Sequence, residues 1–182
     1  MKTCPKRATG GFTLMEMLVV VSIIVILAGL TFGGFNFVKA KQAREQAKVQ
    51  IGLLQLALEE YKADNGAYPV NAVSNGKNGT SEVYDALYPQ NADDKVYLSE
   101  LNPDNDGQGW LAGQTGRSLK IYDPWGTEYF YRTNNPARPN RSFAANPDFD
   151  LWSAGPDGQT SAGSNGSYDP KHPDNLDDIR GW

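Results

Sequence analysis

Three groups of residues could do chemistry here. Asp157-Gly158 and Asp177-Asp178 stand at the two ends of a stretch of Gly, Ser, Asn and Asp with almost nothing apolar in it. Carboxylates gathered from both ends of such a loop could serve a hard cation, because calcium takes several oxygen ligands in irregular geometry. A solvated acidic turn is the competing reading, and composition alone favours it. Asp169 and Asp174 fall inside the stretch as rival donors. The second group is Glu16, the only charged residue in an apolar run from Phe12 to Val38. A carboxylate in such surroundings is costly and normally has a partner. The third is Gly10-Gly11 ahead of Phe12, where the missing side chains leave the backbone open to a peptidase.

Other chemistries find no support. His172 is the single histidine, set among Asp, Lys and Pro, and nothing places a nucleophile beside it. Cys4 is the only cysteine, so neither an intrachain disulfide nor a thiolate metal cage can form. There is no phosphate-binding glycine loop and no zinc-ligand spacing. Asp104-Asn105-Asp106-Gly107 lacks the remaining ligands and closing Glu of an EF-hand loop and reads as a turn. The net charge of −4 offers no basic stripe for nucleic acid. The expectation is a protein that is not an enzyme and does not bind nucleic acid.

The elements that must position these groups follow from hydropathy and periodicity. Residues 1–11 are polar and basic, with Lys2, Lys6 and Arg7, and read as a leader. Residues 12–38 exceed the roughly 20 apolar residues that a membrane-spanning helix needs. An ordinary secretory signal has a shorter apolar core, with its cleavage site after the core rather than before it. Basic residues flank both ends of the run, so the short N-terminus is placed in the cytoplasm because the polar remainder reads as an exported domain.

Residues 39–65 continue the helix: Ala47, Ile51, Leu54, Leu58 and Tyr61 share a face, with Lys48, Gln55, Glu59 and Lys62 opposite. Asn65-Gly66 stops it, giving one helix from about Thr13 to Asp64. In the globular part, 66–182, a short helix is expected within Tyr84–Leu101. Strands are expected at Ser118–Tyr122, Glu128–Arg132 and Phe149–Trp152. Asp123-Pro124-Trp125-Gly126 is a turn, and Trp125, Tyr129 and Tyr131 alternate so as to pack one strand face against the helix.

Gly11-Phe12-Thr13-Leu14-Met15-Glu16 followed by a long apolar helix resembles the prepilin cleavage and methylation motif of type IV pilins and type II secretion pseudopilins. The resemblance implies cleavage between Gly11 and Phe12 by a prepilin peptidase and N-methylation of Phe12. It also implies that Glu16 neutralises the N-terminal amine of a neighbouring subunit, since two charges buried in an apolar bundle must pair. Further stretches are similar to the major, G-type pseudopilin family. These are Leu58 to Pro69, the segment Asp123-Pro124-Trp125-Gly126-Thr127-Glu128-Tyr129-Phe130-Tyr131, Phe149 to Gly158, and the closing Asp177-Asp178-Ile179-Arg180-Gly181-Trp182. That family binds calcium at the corresponding place. The carry-over makes Asp157, Asp177 and Asp178 side-chain ligands, with Ala154 and Gln159 giving backbone carbonyls. The chain departs from the family in a longer 71–117 region and in the insertion between Asp157 and Asp177.

The expected fold is therefore α+β and type IV pilin-like: a long N-terminal transmembrane and assembly helix packed against a small antiparallel β-sheet with ordered loops. The expected function is structural, a subunit of a pseudopilus that drives protein export through the type II secretion system. The implied setting is the bacterial inner membrane, single-pass, with the C-terminal domain in the periplasm. Implied partners are copies of the same chain, the prepilin peptidase, the inner-membrane secretion platform and minor pseudopilins. The alternative is a type IV pilus subunit or minor pseudopilin serving adhesion, motility or DNA uptake.

Overall fold

The computed structural model describes residues 11–70, 79–91, 93–112, 114, 116, 119–134, 144–161 and 168–182, with the side chains of 30–37 excepted. The expected leader, apart from Gly11, lies outside the described residues. The chain divides into two compact units, 1–40 and 41–182.

The first helix, α1, spans Leu14–Asn65, matching the bounds expected from apolar periodicity and the Asn-Gly stop. In the first unit its apolar side chains are exposed from Leu14 to Leu27. Among the described residues no helix is long and apolar enough to cross a membrane. The expected span of 12–38 includes 30–37 and so falls partly outside the described residues.

In the second unit α1 turns one face inward. Ala47, Ile51, Leu54, Ala57 and Leu58 are at most 3% exposed. Gln50 is buried as well, because its side-chain oxygen accepts the Tyr129 hydroxyl at 2.7 Å and its amide donates to the Gln108 carbonyl. Gln55, expected on the polar side, instead reaches the far end of the domain and donates to the Gly181 carbonyl at 2.6 Å. The helix ends where Gly66, at φ 77°, returns its N–H to the Lys62 carbonyl.

Helix α2, Thr80–Leu87, buries Thr80, Val83, Tyr84 and Leu87, an i, i+3, i+4, i+7 stripe. It begins before the expected 84–101 window. The Thr80 hydroxyl donates to Glu128 at 2.6 Å and accepts from Ile121 N–H, which fixes the helix start on the residues leading into the sheet. Short 3-10 turns follow at Ser99–Leu101 and Pro103–Asn105.

The sheet is antiparallel in the order β1 (Phe130–Thr133), β2 (Phe149–Ser153), β3 (Ile179–Arg180), with Tyr131 opposite Leu151 and Trp152 opposite Arg180. The strand expected at Ser118–Tyr122 does not form over its described residues; Tyr122 makes only a single bridge to Glu128. Its backbone bonds elsewhere instead, with Tyr122 N–H on the Trp110 carbonyl and the Ile121 carbonyl on Tyr129 N–H. The strand expected at Glu128–Arg132 starts later, at Phe130, because ahead of it Glu128 makes only the isolated bridge to Tyr122 and Tyr129 N–H goes to the Ile121 carbonyl. Strand β3 lies outside the sequence-based expectation. Tyr129 and Tyr131 are fully buried, as their alternation predicts, while Trp125 is half-buried.

Candidate functional site

At the N-terminal end, Gly11, Phe12 and Thr13 precede the helix in non-helical backbone, and Phe12 is 78% exposed. A Cβ added at Gly11 would meet nothing, so the fold itself does not demand glycine there. Thr13 and Glu16 form a reciprocal cap. The Thr13 N–H and hydroxyl both donate to Glu16 Oε2 at 2.9 Å, and Glu16 N–H donates to the Thr13 hydroxyl at 3.2 Å. Glu16 therefore has a partner within its own helix end, which the Thr-x-x-Glu spacing already signals.

The C-terminal site lies between β2 and β3. Ser153 and Ala154 are fully buried at the end of β2, and Gly155 and Gly158 turn the chain at φ 68° and 66°. Asp157 is exposed, with its Oδ1 accepting from Gln159 N–H at 2.8 Å. Asp178 is half-buried just before β3. Its Oδ2 accepts the Thr160 and Tyr168 hydroxyls, each at 2.9 Å. Its Oδ1 is buried with no hydrogen-bond partner among the described residues. Burial, and after it the neighbouring charges of Asp177 and Asp157, push the Asp178 carboxyl up to about 6, against the pull of those two hydroxyls. Asp177 lies against the turn: a Cβ on Gly155 would stand 2.6 Å from its carbonyl oxygen and 2.8 Å from Oδ2.

The charges of Asp177 and Asp157 are thus felt at the Asp178 carboxyl. Among the described residues no three acidic or histidine side chains already form a metal cage. The rival acids are engaged elsewhere. Asp169 accepts from Lys171 N–H, and Asp174 accepts the Ser161 hydroxyl beside His172. Asp106 caps Trp110 and Leu111 N–H with both oxygens, which is the turn role expected of it.

Several residues that hold the site were not legible in advance. Asn175, 3% exposed, donates to the Ser161 and Asp169 carbonyls and accepts from Ser161 N–H. Trp152 donates its ring N–H to Thr160 and packs edge-on to Tyr168, which in turn meets Trp182. Asn175 carries no sequence signal of its own. Asp123 and Ser153 also belong here, and for Asp123 the Asp-Pro turn was the available clue.

A long helix entered through a Thr–Glu cap, with exposed Gly11 and Phe12 before it, and a small antiparallel sheet in the second unit make an α+β, pilin-like arrangement. Consistent with this, the family model described as "Prokaryotic N-terminal methylation motif" matches residues 6–32. The type II secretion system core protein G of Dickeya chrysanthemi is 29% identical over 97% of this chain and 88% of its own length. The protein of the same name from Pectobacterium carotovorum is 30% identical over 94% and 83%, and that from Pseudomonas aeruginosa 31% over 88% and 92%. The chain belongs to the type II secretion system core protein G family.

Proposed function

We propose that the chain is a structural subunit of a pseudopilus that serves protein export by type II secretion. The observation that carries this is similarity to core protein G sequences along nearly the whole chain, together with an intact Gly11-Phe12 and Glu16 at the helix entrance. The matched relatives carry secretion names, which favours this reading over a pilus for adhesion or DNA uptake.

On this reading a prepilin peptidase cuts between Gly11 and Phe12, and Phe12 is N-methylated. The subunit waits in the inner membrane by its apolar segment, with the globular unit in the periplasm. Exposed apolar side chains from Leu14 to Leu27 support that, since they need lipid or other helices around them. Glu16 then pairs with the N-terminal amine of the next subunit, and the secretion platform and minor pseudopilins are the further partners. Nothing in this role calls for catalysis.

Calcium fits the loop between β2 and β3. The orphaned Asp178 Oδ1, near the charges of Asp177 and Asp157, belongs to a partly desolvated carboxylate with no cation paired to it among the described residues. Asp157, Asp177 and Asp178 would hold the ion, with the Ala154 and Gln159 carbonyls as further donors. A bound ion would supply the positive charge that this part of the loop lacks.

The test is genetic and chemical together. A strain lacking the chain should lose secretion, and the wild-type chain should restore it. Glu16→Leu should enter the membrane yet restore neither secretion nor sheared filaments. Mass spectrometry of the purified protein should find an N-terminus at Phe12 with one added methyl group. Unchanged secretion without the chain would overturn the reading.

A further inference from the structure

Asp123 is only 3% exposed, yet each of its oxygens is committed. Oδ1 accepts from Trp125 N–H at 3.0 Å and Thr127 N–H at 2.9 Å, and Oδ2 accepts the Ser153 hydroxyl at 2.5 Å. Ser153 Oγ accepts in turn from Gly155 N–H at 3.0 Å. Gly155 is the residue on which Asp177 rests, too close for any side chain at that position. Thr127, whose N–H Asp123 holds, leaves little room beside Gly158, where an added Cβ would lie 3.2 Å from its hydroxyl.

The turn is therefore tied through Ser153 to the backbone at Gly155, just ahead of Asp157. An aspartate that only shapes a turn does so equally well at the surface. Here burial pushes the carboxyl up from its ordinary value, and among the described residues no cation pairs with it. The hydrogen bonds it accepts offset part of that cost and hold the carboxylate, and Ser153 with it, in a fixed geometry.

We propose that Asp123 is the positioning residue of the calcium loop. Through Ser153 it holds Gly155, the residue packed against Asp177, so that it sets the spacing of Asp157 from Asp177 and Asp178. This rests on the calcium reading above. Asp123 does not touch the ion; it acts through the backbone that carries the ligands.

Calorimetric titration of the detergent-solubilised full chain with calcium chloride, alongside melting in chelator, tests this. Ser153→Ala cuts the link and leaves the turn's own two N–H bonds in place. It should weaken calcium binding by about tenfold or more, the scale usual for groups that orient metal ligands. Ser153→Thr, which keeps the hydroxyl, should restore binding. Asp123→Asn keeps an acceptor for Trp125 and Thr127 but loses the one facing Ser153, and should weaken binding similarly.

A purely structural role would lower the melting temperature in chelator and leave the calcium affinity alone. Asp123→Asn binding calcium as wild type does would overturn the proposal, whether or not Ser153→Ala folds. Wild type that binds no calcium would overturn the calcium reading and this proposal with it. Wild type that binds, with Ser153→Ala binding equally well, would overturn this proposal alone.

Discussion

The packing around the second-unit half of α1 and the loop between β2 and β3 are held together by opposite means. Around α1, Leu54, Leu58, Tyr129, Tyr131 and Leu151 are all at most 1% exposed and pack against one another in a single apolar cluster. Between β2 and β3, order comes from hydroxyls, amides and carboxylates, with Asn175 at the centre and one carboxylate oxygen left over. Apolar packing is indifferent to ions, whereas a polar network with a spare buried anion is not. The contrast separates what the chain provides for itself from what it must take from its surroundings.

The largest effect should come from the apolar side. Leu58→Ala should cost about 2–5 kcal/mol, and equally in calcium and in chelator. Denaturant unfolding of the full chain in detergent measures it, and a loss that appeared only in chelator would break the contrast. Next comes removal of calcium itself. At a hundredfold excess over Kd an ion bound only by the folded form adds about 2.7 kcal/mol. Melting in millimolar calcium against chelator should therefore differ for wild type and coincide for Asp178→Ala and Asp157→Ala. For Asp106→Ala the difference should persist, because that carboxylate caps a turn elsewhere.

Asn175→Ala should cost about 1–3 kcal/mol, since it strands Ser161 and Asp169 backbone groups. Quenching of Trp152, which is tied to the same loop through Thr160, should report that loosening. The smallest change belongs to the surface. Lys95 bridges Glu60 and Asp64, all of them about half exposed, and Lys95→Ala should alter melting little at neutral pH. The Lys95 ammonium holds the Asp64 carboxyl below its ordinary value. The contribution of that pair is thus complete above about pH 4 and fades as pH falls through the lower folded value. A pH titration of the melting temperature in wild type and Lys95→Ala should diverge slightly on the neutral side and converge in acid.

Legibility in the sequence followed the same division. The bounds of α1 and its inward face were readable because apolar spacing repeats every three or four residues along a continuous helix. Tyr129 and Tyr131 were readable from alternation. The loop was readable as acidic and polar, but what holds it was not. Asn175, Thr160 and Ser161 act through contacts that only close when distant backbone arrives, and no local pattern announces that. Gln55 was misplaced for the same reason: a polar residue on a helix looks solvated until a carbonyl from elsewhere meets it. Strand β3 escaped notice because two residues carry no period.

The contact that corrected Gln55 also bears on how fast the domain can assemble. Gln55 meets Gly181 across 126 residues of chain, and Gly181 N–H pairs with the Leu151 carbonyl while its Cα lies so near Ile51 and Gln55 that a methyl group would collide. Contacts of such long sequence separation carry their loop-closure entropy before they return anything, and they slow folding. Docking of Gly181, just after β3, on α1 should thus be among the last events, after the helix and the β1–β2 pair have formed. Gly181→Ala should then act mainly by speeding unfolding rather than by slowing folding, turning a tightly closed seam into one that opens often.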